Sequence, residues 1–218
     1  MDNRRRFIKR IVGLAGMLGL LFTPLAGAIR IAWAKAKRAL LPRGTKMDDL
    51  IHRNPADLDN RNLDLTPVKA FGTMGQTDQK TDLDQWRLEI VGEVDKPFNL
   101  SRDQILQLPA VEKDVLLICP GVFAYNARWR GISVARLLET AGVKPTASHV
   151  VFSGPRGNRR RDHRFPIADI RADKIFLAYR VNGIDLPVKH GFPLRVVARD
   201  YYGSDWIKYV FRITAFKA

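Results

Sequence analysis

Short runs in which apolar and polar residues alternate recur along the chain and predict β-strands. Residues 86–94 alternate in this way, which predicts a strand with one buried face. The apolar run 114–118 predicts another strand, which leads directly into the sequence Cys-Pro-Gly at 119–121. Further strands are predicted over 150–153, 175–181, 193–198 and 207–213. The Asn182-Gly183 pair predicts a tight hairpin turn into the short apolar segment that follows it.

Two brief helices are predicted between these strands. Ser101 begins one of them, and Gln104 three residues later completes a capping box. Ser133 caps the second helix, predicted over 134–140 and closed by Gly142. Strands dominate, the helices are short, and there is no βαβ rhythm or internal repeat. The pattern therefore predicts an α+β class, a single mixed domain over 81–218 with a polar loop at 154–164.

Residues 35–80 differ from this domain, because their apolar residues do not recur with the period of a strand (2) or of a helix (3.6). Pro, Asn, Asp and Gly interrupt the segment throughout. A loop of this length in a compact protein is usually functional or wraps another part of it. We interpret 35–80 as an arm packed on the domain, with Phe71-Gly-Thr-Met-Gly75 entering the core.

The N-terminal residues 1–34 have the pattern of a targeting signal. Arg4, Arg5 and Arg6 precede a weakly hydrophobic run over about 11–31, which resembles a twin-arginine export signal. The run is also long enough to be a membrane anchor that stays attached. Either alternative predicts a folded part outside the cytoplasm, periplasmic or extracytoplasmic, and export through the twin-arginine machinery. Such export favours a bound cofactor, because the protein is folded before transport.

Charge and cysteine content narrow the possible chemistry. The formal net charge of +15 favours anionic partners such as nucleic acid, an anionic membrane surface or an acidic redox protein. The sequence contains one cysteine, Cys119, so an intramolecular disulfide is excluded. A single thiol can be buried filler, a reactive nucleophile or a metal ligand. Its position where a strand breaks into a turn allows it to face a cavity.

A second block of candidate residues lies near the C-terminus. His190 precedes Arg195 by five positions, and Lys208 follows a loop that contains Gly203. Arginine can bind a phosphate through two hydrogen bonds, lysine adds a point charge, and glycine lets backbone N–H groups approach an anion. The same residues also fit an ordinary basic surface loop.

Taken together, the motifs resemble the oxidoreductase molybdopterin-binding domain shared by sulfite oxidases and periplasmic methionine sulfoxide reductase catalytic subunits. The resemblance covers about 130 residues, from Trp86 to Ile213. It rests on the segments WRLEIVGEVDKP, LLICPGVF, WRGISVARLLETAGV, FLAYRVNGIDLP, HGFPLRVVA and YGSDWIKYV. No single segment would be sufficient, but the set is specific.

The resemblance implies a mononuclear molybdenum–molybdopterin cofactor with Cys119 as the protein ligand of the metal. His190, Arg195 and Lys208 would bind the terminal phosphate of the pterin, lined by the backbone of Gly203, Ser204 and Trp206. Asn60 or Asn62 would contact the pterin from the arm. The threonine that the family carries near Ser153 is not evident, so Ser153 is taken as the cofactor-binding residue there. Near the metal, Tyr125 and Arg128 are the predicted catalytic residues, although Tyr125 and its aromatic neighbours equally suit core packing.

Departures from the family narrow the expected reaction. Sulfite oxidases carry arginines shortly after the cysteine, whereas here the first arginine after it is Arg128. We also expect no immunoglobulin-like dimerisation domain and a monomer. These features favour a small neutral oxide, reduced at sulfur or nitrogen by oxygen-atom transfer, over sulfite. The alternative is a cofactor-free basic exported module that binds an anionic membrane or polymer. Binding of nucleic acid is not expected, because the leader places the protein outside the cytoplasm.

Electrons must come from another protein. One cysteine cannot hold an iron–sulfur cluster, and the sequence has no C-x-x-C-H haem motif. A membrane haem subunit or a soluble cytochrome is therefore the expected redox partner. The basic run Arg156–Arg164 is a candidate docking patch, although such a run is also typical of a solvated surface.

Overall fold

The computed structural model describes residues 38–155 and 161–217. The predicted leader and residues 156–160 of the basic run lie outside the described residues. Within the described part, two five-stranded sheets form the framework, and no helix there is long and apolar enough to span a bilayer. Strands dominate, so the α+β architecture expected from the pattern is present.

The first sheet carries the candidate thiol. Its strands are β5 (Ala110–Cys119), β6 (Phe123–Ser133), β9 (Ile175–Val181), β10 (Ile184–Asp185) and β11 (Arg195–Ala198). The order is β10-β9-β6-β5, with β11 also paired to β9, and all of these pairs are antiparallel. β5 and β6 form a long hairpin in register from Ala110 opposite Ile132 to Cys119 opposite Phe123. Cys119 therefore lies at the tip of a rigid hairpin.

The second sheet is built from strands that are distant in sequence. Its members are β3 (Leu88–Gly92), β4 (Phe98–Leu100), β7 (His149–Ser153), β8 (Asp162–Pro166) and β12 (Arg212–Phe216). The order is β4-β3-β12-β7-β8, and β12 pairs in parallel with β3 and antiparallel with β7. One core cluster contains buried side chains from both sheets, among them Ile90, Trp129 and Phe152. Burial of this apolar surface is the main source of stability.

Within the described residues, three short α-helices connect the strands: α1 (Arg102–Gln107), α2 (Val134–Thr140) and α3 (Ile167–Arg171). Both bonds of the predicted capping box are present, Ser101 Oγ accepting from the Gln104 backbone and Gln104 Oε1 from the Ser101 backbone. Ser133 caps α2 over the predicted residues. The hairpin turn is also confirmed, with positive φ at Asn182 and Gly183.

Other parts of the pattern were misread. No strand was predicted at β6, and its polar Asn126 hides the alternation because the amide is fully buried. The predicted loop at 154–164 gives way to β8 at Asp162, and α3 was not anticipated. In the predicted strand 207–213, only the segment from Arg212 onward is regular. Lys208 instead forms an isolated bridge with Arg195.

The arm packs on the hairpin face that points away from the main core. Two residues of the arm form β1 (Ala39–Leu40), which pairs in parallel with β2 (Leu58–Asp59), and the rest consists of turns and single 3₁₀ turns. A second apolar cluster joins Leu50 and Leu58 of the arm to Ile118 of β5. Asn126 donates to the Leu63 carbonyl and accepts from Asn60 Nδ2. The arm therefore covers the back of the strand pair that presents Cys119.

Candidate cofactor site

A cavity of about 160 Å³ opens at the tip of the β5–β6 hairpin. Arm residues around 72–76, the hairpin tip and the loops before and after β11 surround it. Eight of the predicted site residues line this one cavity: Cys119, Tyr125, His190, Arg195, Gly203, Ser204, Trp206 and Lys208. Residues separated by up to 89 positions are thus brought together by the fold.

Cys119 is the last residue of β5 and is partly buried. The following turn has Gly121 at φ +71°, a conformation that suits glycine, and the Gly121 N–H donates to the Ile51 carbonyl of the arm. Burial raises the pKa of the Cys119 thiol, so the free group is protonated at neutral pH. A bound metal would displace that proton, because the thiolate is the form that coordinates.

Arg195 begins β11 and is buried, with 4% of its surface exposed. Its guanidinium lies 5.0 Å from the ring centroid of Trp129 and 5.5 Å from that of Trp206. It donates to the His190 carbonyl at 3.0 Å, and no carboxylate of the described residues forms an ion pair with it. Burial lowers the pKa of Arg195, yet a guanidinium keeps its charge in proteins. A buried charge without a counter-ion favours an anionic ligand.

His190 ends the 3₁₀ turn Val188–His190 and is 1% exposed. Burial is the largest cause that lowers the pKa of His190 to about 4, and the positive charges of Arg195, Lys189 and Lys208 lower it further. The imidazole is therefore neutral at pH 7. Its Nε2 atom is buried and has no hydrogen-bond partner in the part of the chain that is described. An unpartnered buried nitrogen of this kind is suited to a ligand.

Lys208 supplies a second cation. Its Nζ donates to the Gln76 carbonyl at 2.5 Å, to Thr73 Oγ1 at 3.3 Å and to the Lys189 carbonyl at 3.2 Å. Burial, followed by the charges of Arg195 and Arg161, lowers the pKa of Lys208 to about 8. The amine remains mostly charged at neutral pH, and it ties the arm to the wall of the cavity.

The charged side chains that line the cavity are all positive. Arg161, Arg195 and Lys208 line it, and no aspartate or glutamate is present among its described lining residues. Gly203 keeps the opposite wall close to β5, since a Cβ there would lie 2.8 Å from Leu117 Cδ2 and 3.3 Å from the Ile118 carbonyl oxygen. A thiol at one end, and a buried arginine, a half-buried lysine and the unpartnered His190 Nε2 at the other, fit a cofactor that carries both a metal and a phosphate.

The sequence model of the oxidoreductase molybdopterin binding domain matches residues 74–218, which is most of the chain. The chain belongs to this molybdopterin-binding family. Proteins of the family bind the cofactor that the cavity fits, and the resemblance first drawn from the motifs is confirmed.

Individual relatives agree with this assignment. An uncharacterized oxidoreductase of Bacillus subtilis is 31% identical over 58% of this chain and 65% of its own length. The catalytic subunit of a protein-methionine-sulfoxide reductase from Gluconobacter oxydans is 32% identical over 66% of this chain and 52% of its own length. The chain therefore spans between half and two-thirds of these relatives.

A solved structure shares the fold. The sulfane dehydrogenase SoxCD of Paracoccus pantotrophus superposes with a TM-score of 0.61 at 24% identity, over 71% of this chain and 46% of that one. At this identity the likeness concerns architecture alone. The two-sheet framework is therefore shared with that structure.

Four predicted site residues of the molybdopterin-binding domain lie away from the cavity. Arg128 is on the face of β6 opposite Tyr125, because side chains alternate along a strand, and it pairs with Asp114 at 2.7 Å. Asn60 donates to Asn126 and to the Asp114 carbonyl behind the hairpin. Asn62 is exposed on the arm, and Ser153 is buried outside the cavity lining. We therefore leave these four residues out of the proposed site.

Several lining residues were not singled out by sequence reasoning. They include Thr73, Met74, Gln76, Leu117, Ile207 and Tyr209. Arg161, which was assigned to a docking patch, also lines the cavity. The available signal was the Phe-Gly-Thr-Met-Gly segment, of which only Phe71 enters the core, stacked on Tyr125 with 4.1 Å between ring centroids. Thr73, Met74 and Gly75 are exposed, so the expectation that the whole segment enters the core is wrong. Gly72, Thr73 and Met74 line the cavity instead.

Proposed function

We propose that this chain binds the molybdenum–molybdopterin cofactor in the cavity and works as an exported oxidoreductase that reduces an S- or N-oxide by oxygen-atom transfer. The observation that supports it is the union, in one cavity, of the only thiol of the sequence with a buried arginine and a half-buried lysine, neither of which has a carboxylate partner among the described residues. A protein that only bound an anion would not need a thiol in the same cavity as its cations.

The roles of the residues follow from their chemistry. Cys119 would be the protein ligand of molybdenum, and Arg195 and Lys208 would bind the terminal phosphate. His190 is neutral at pH 7, so the tautomer with a proton on Nε2 can donate to a phosphate oxygen without adding charge. The backbone around Gly203 would line the same phosphate. When bound, the cofactor supplies two-electron redox chemistry coupled to movement of one oxygen atom.

Tyr125 would contact the substrate rather than the cofactor phosphate. Its side chain is 1% exposed, and burial raises the pKa of its hydroxyl, so the proton stays on the oxygen at neutral pH. The stacked ring of Phe71 and the charge of Arg195 hold it in place. A fixed hydroxyl that lines the cavity can donate a hydrogen bond to the oxygen of a substrate.

The electron donor is proposed to be a separate haem protein, either a membrane subunit or a soluble cytochrome. The sequence has one cysteine and no haem-attachment motif, so no redox centre for a relay is evident in it. The net charge of +15 favours an acidic partner. The twin-arginine-like leader supports a location outside the cytoplasm, and we propose that the protein acts there as a monomer.

Purification of the full chain from a molybdenum-replete host tests this proposal. We expect one molybdenum and one pterin per chain, and reduction of S- or N-oxides with an artificial low-potential donor. The metal would be measured by mass spectrometry and the pterin by fluorescence after release. A folded protein from the same host with neither metal nor pterin would contradict the proposal and favour a cofactor-free basic binding module.

A further inference from the structure

Met74 occupies an unusual position at the thiol end of the cavity. Its sulfur lies 3.0 Å from Cys119 Sγ, it lines the cavity, and 54% of its surface is exposed. One side of this side chain therefore contacts the thiol while the rest faces solvent. Single exposed apolar side chains are common, so the contact between the two sulfur atoms, rather than the exposure, is the distinguishing feature of Met74.

The segment that carries Met74 is fastened on both sides. Before it, Gly72 packs so closely on Phe123 that a Cβ would lie 2.3 Å from the ring. Thr73 Oγ1 donates to the Lys189 carbonyl at 3.2 Å and accepts from Lys208. After it, the Gln76 carbonyl accepts from Lys208 Nζ and from the Tyr209 hydroxyl. The backbone of 72–76 is thus held in place, and freedom is left to the Met74 side chain.

The surroundings of the thiol are also apolar on the outside. Val122, three residues after Cys119, is 55% exposed, and the Phe123 ring lines the cavity. Arg161, which also lines the cavity, approaches Gly75 of the segment that carries Met74. Met74 contacts the thiol sulfur directly, so a molecule that reaches the thiol from solvent must pass its thioether.

We propose that Met74 is a specificity-determining residue, whose side chain covers the approach to Cys119 and selects molecules that are slim. An unbranched, polarisable thioether with three rotatable bonds can move aside for a narrow ligand but obstructs a wide one. Where the ligand is an oxide substrate, this inference rests on the proposed function. It then names the substrate class as an oxide with a narrow substituent next to the reacting atom.

Access to Cys119 can be measured without cofactor, because it is the only thiol in the sequence. Protein produced without molybdenum would be treated with N-methylmaleimide and N-phenylmaleimide, which share one reactive group and differ in width. The thiolate adds to one alkene carbon, the π bond breaks, and the other carbon takes a proton from water. Mass spectrometry then follows one adduct per chain over time.

Met74→Ala is expected to raise the rate with N-phenylmaleimide about tenfold and the rate with N-methylmaleimide much less. Met74→Leu keeps the bulk of the side chain and is expected to behave like the wild type. Ile184→Ala removes an equally exposed apolar side chain far from the cavity lining and serves as the control. A general loosening of the fold would accelerate both reagents alike. Equal acceleration, or no change in the ratio of the two rates, would overturn the proposal.

The loaded enzyme gives a second readout. Met74→Ala is expected to lower KM for an oxide with a wide substituent while kcat for a narrow oxide stays within about twofold. An unchanged preference between wide and narrow oxides would contradict the assignment of the substrate class. Absence of molybdenum from the wild type would defeat the proposed function instead, and the maleimide ratios would still decide the role of Met74.

Discussion

The two ends of the cavity differ in what surrounds them. At the cationic end, Arg195 and His190 are almost completely buried, and Arg195 has no carboxylate partner among the described residues. At the thiol end, Cys119 is partly buried and lies under Met74, more than half of which is exposed. The cationic end therefore suits a group that stays bound, such as a cofactor phosphate. The thiol end suits molecules that enter and leave, such as a substrate.

The contrast has a physical basis. Burying charge is unfavourable unless an opposite charge or strong hydrogen bonds compensate for it, so the cationic end is incomplete without an anion. The thiol end needs no such compensation, because a protonated thiol and a thioether are both tolerated in apolar surroundings. The cofactor phosphate would therefore anchor the complex, while the metal end stays accessible to substrate. The predictions below test this division.

The largest expected effect is at Arg195. Arg195→Ala removes a buried charge from the phosphate position, which should weaken cofactor binding by about 2–5 kcal/mol. Molybdenum and pterin content should fall together by more than tenfold. Arg128→Ala, on the outer face of β6, is the matched control. Retention of full cofactor content in the Arg195 variant would remove the distinction between the two ends.

The pH dependence of stability tests the burial of His190. Because its pKa is lowered from 6.5 to about 4, the unfolded chain binds a proton that the native imidazole does not bind between these values. Stability of the cofactor-free protein should therefore be full above pH 6.5 and should fall as pH drops from 6.5 to 4. The loss through this group is at most about 3 kcal/mol.

Urea unfolding at a series of pH values measures this dependence. His190→Gln removes the titrating group and should flatten the curve between pH 4 and 6.5. If the variant and the wild type show the same slope, His190 is not the buried neutral group described above.

A smaller effect is expected where the loop approaches β5. A Cβ at residue 203 would come within 2.8 Å of Leu117 Cδ2, so Gly203→Ala should destabilise the fold by about 1–3 kcal/mol through overpacking. Ser204→Ala, in the same loop, should change the free energy of unfolding far less. Thermal unfolding of both variants makes the comparison, and equal stability would show that the wall can move.

The smallest effect is expected at Arg128. Its side chain is 49% exposed and pairs with Asp114, and a surface ion pair of this kind contributes little to stability. Arg128→Ala should leave molybdenum content and turnover unchanged. A loss of activity without a loss of stability would return Arg128 to the catalytic residues.

Local signals in the sequence predicted local structure well. The Ser133 cap of α2, the Ser101–Gln104 capping box and the Asn182-Gly183 turn depend on residues close in sequence, so they could be identified without the fold. The thiol at the end of a strand belongs to the same group. Eight of the predicted site residues line one cavity, and the motifs that pointed to them are specific to the family.

What could not be predicted depends on distant contacts. Lys208 meets Thr73 across 135 positions, and no local pattern reports that the arm forms one wall of the cavity. β6 was missed because Asn126 is polar yet buried beneath the arm. The misplacement of Arg128 has the same origin, since the alternation of β6 assigns it to the outer face only once that strand is recognised.

The central claim is that Cys119 provides a sulfur ligand to molybdenum in this cavity. X-ray absorption at the molybdenum edge of the wild type and of Cys119→Ser, each with bound pterin confirmed, tests it most directly. The account predicts one fewer sulfur neighbour around the metal in the variant, with circular dichroism unchanged. An identical sulfur coordination number in the two proteins would contradict it.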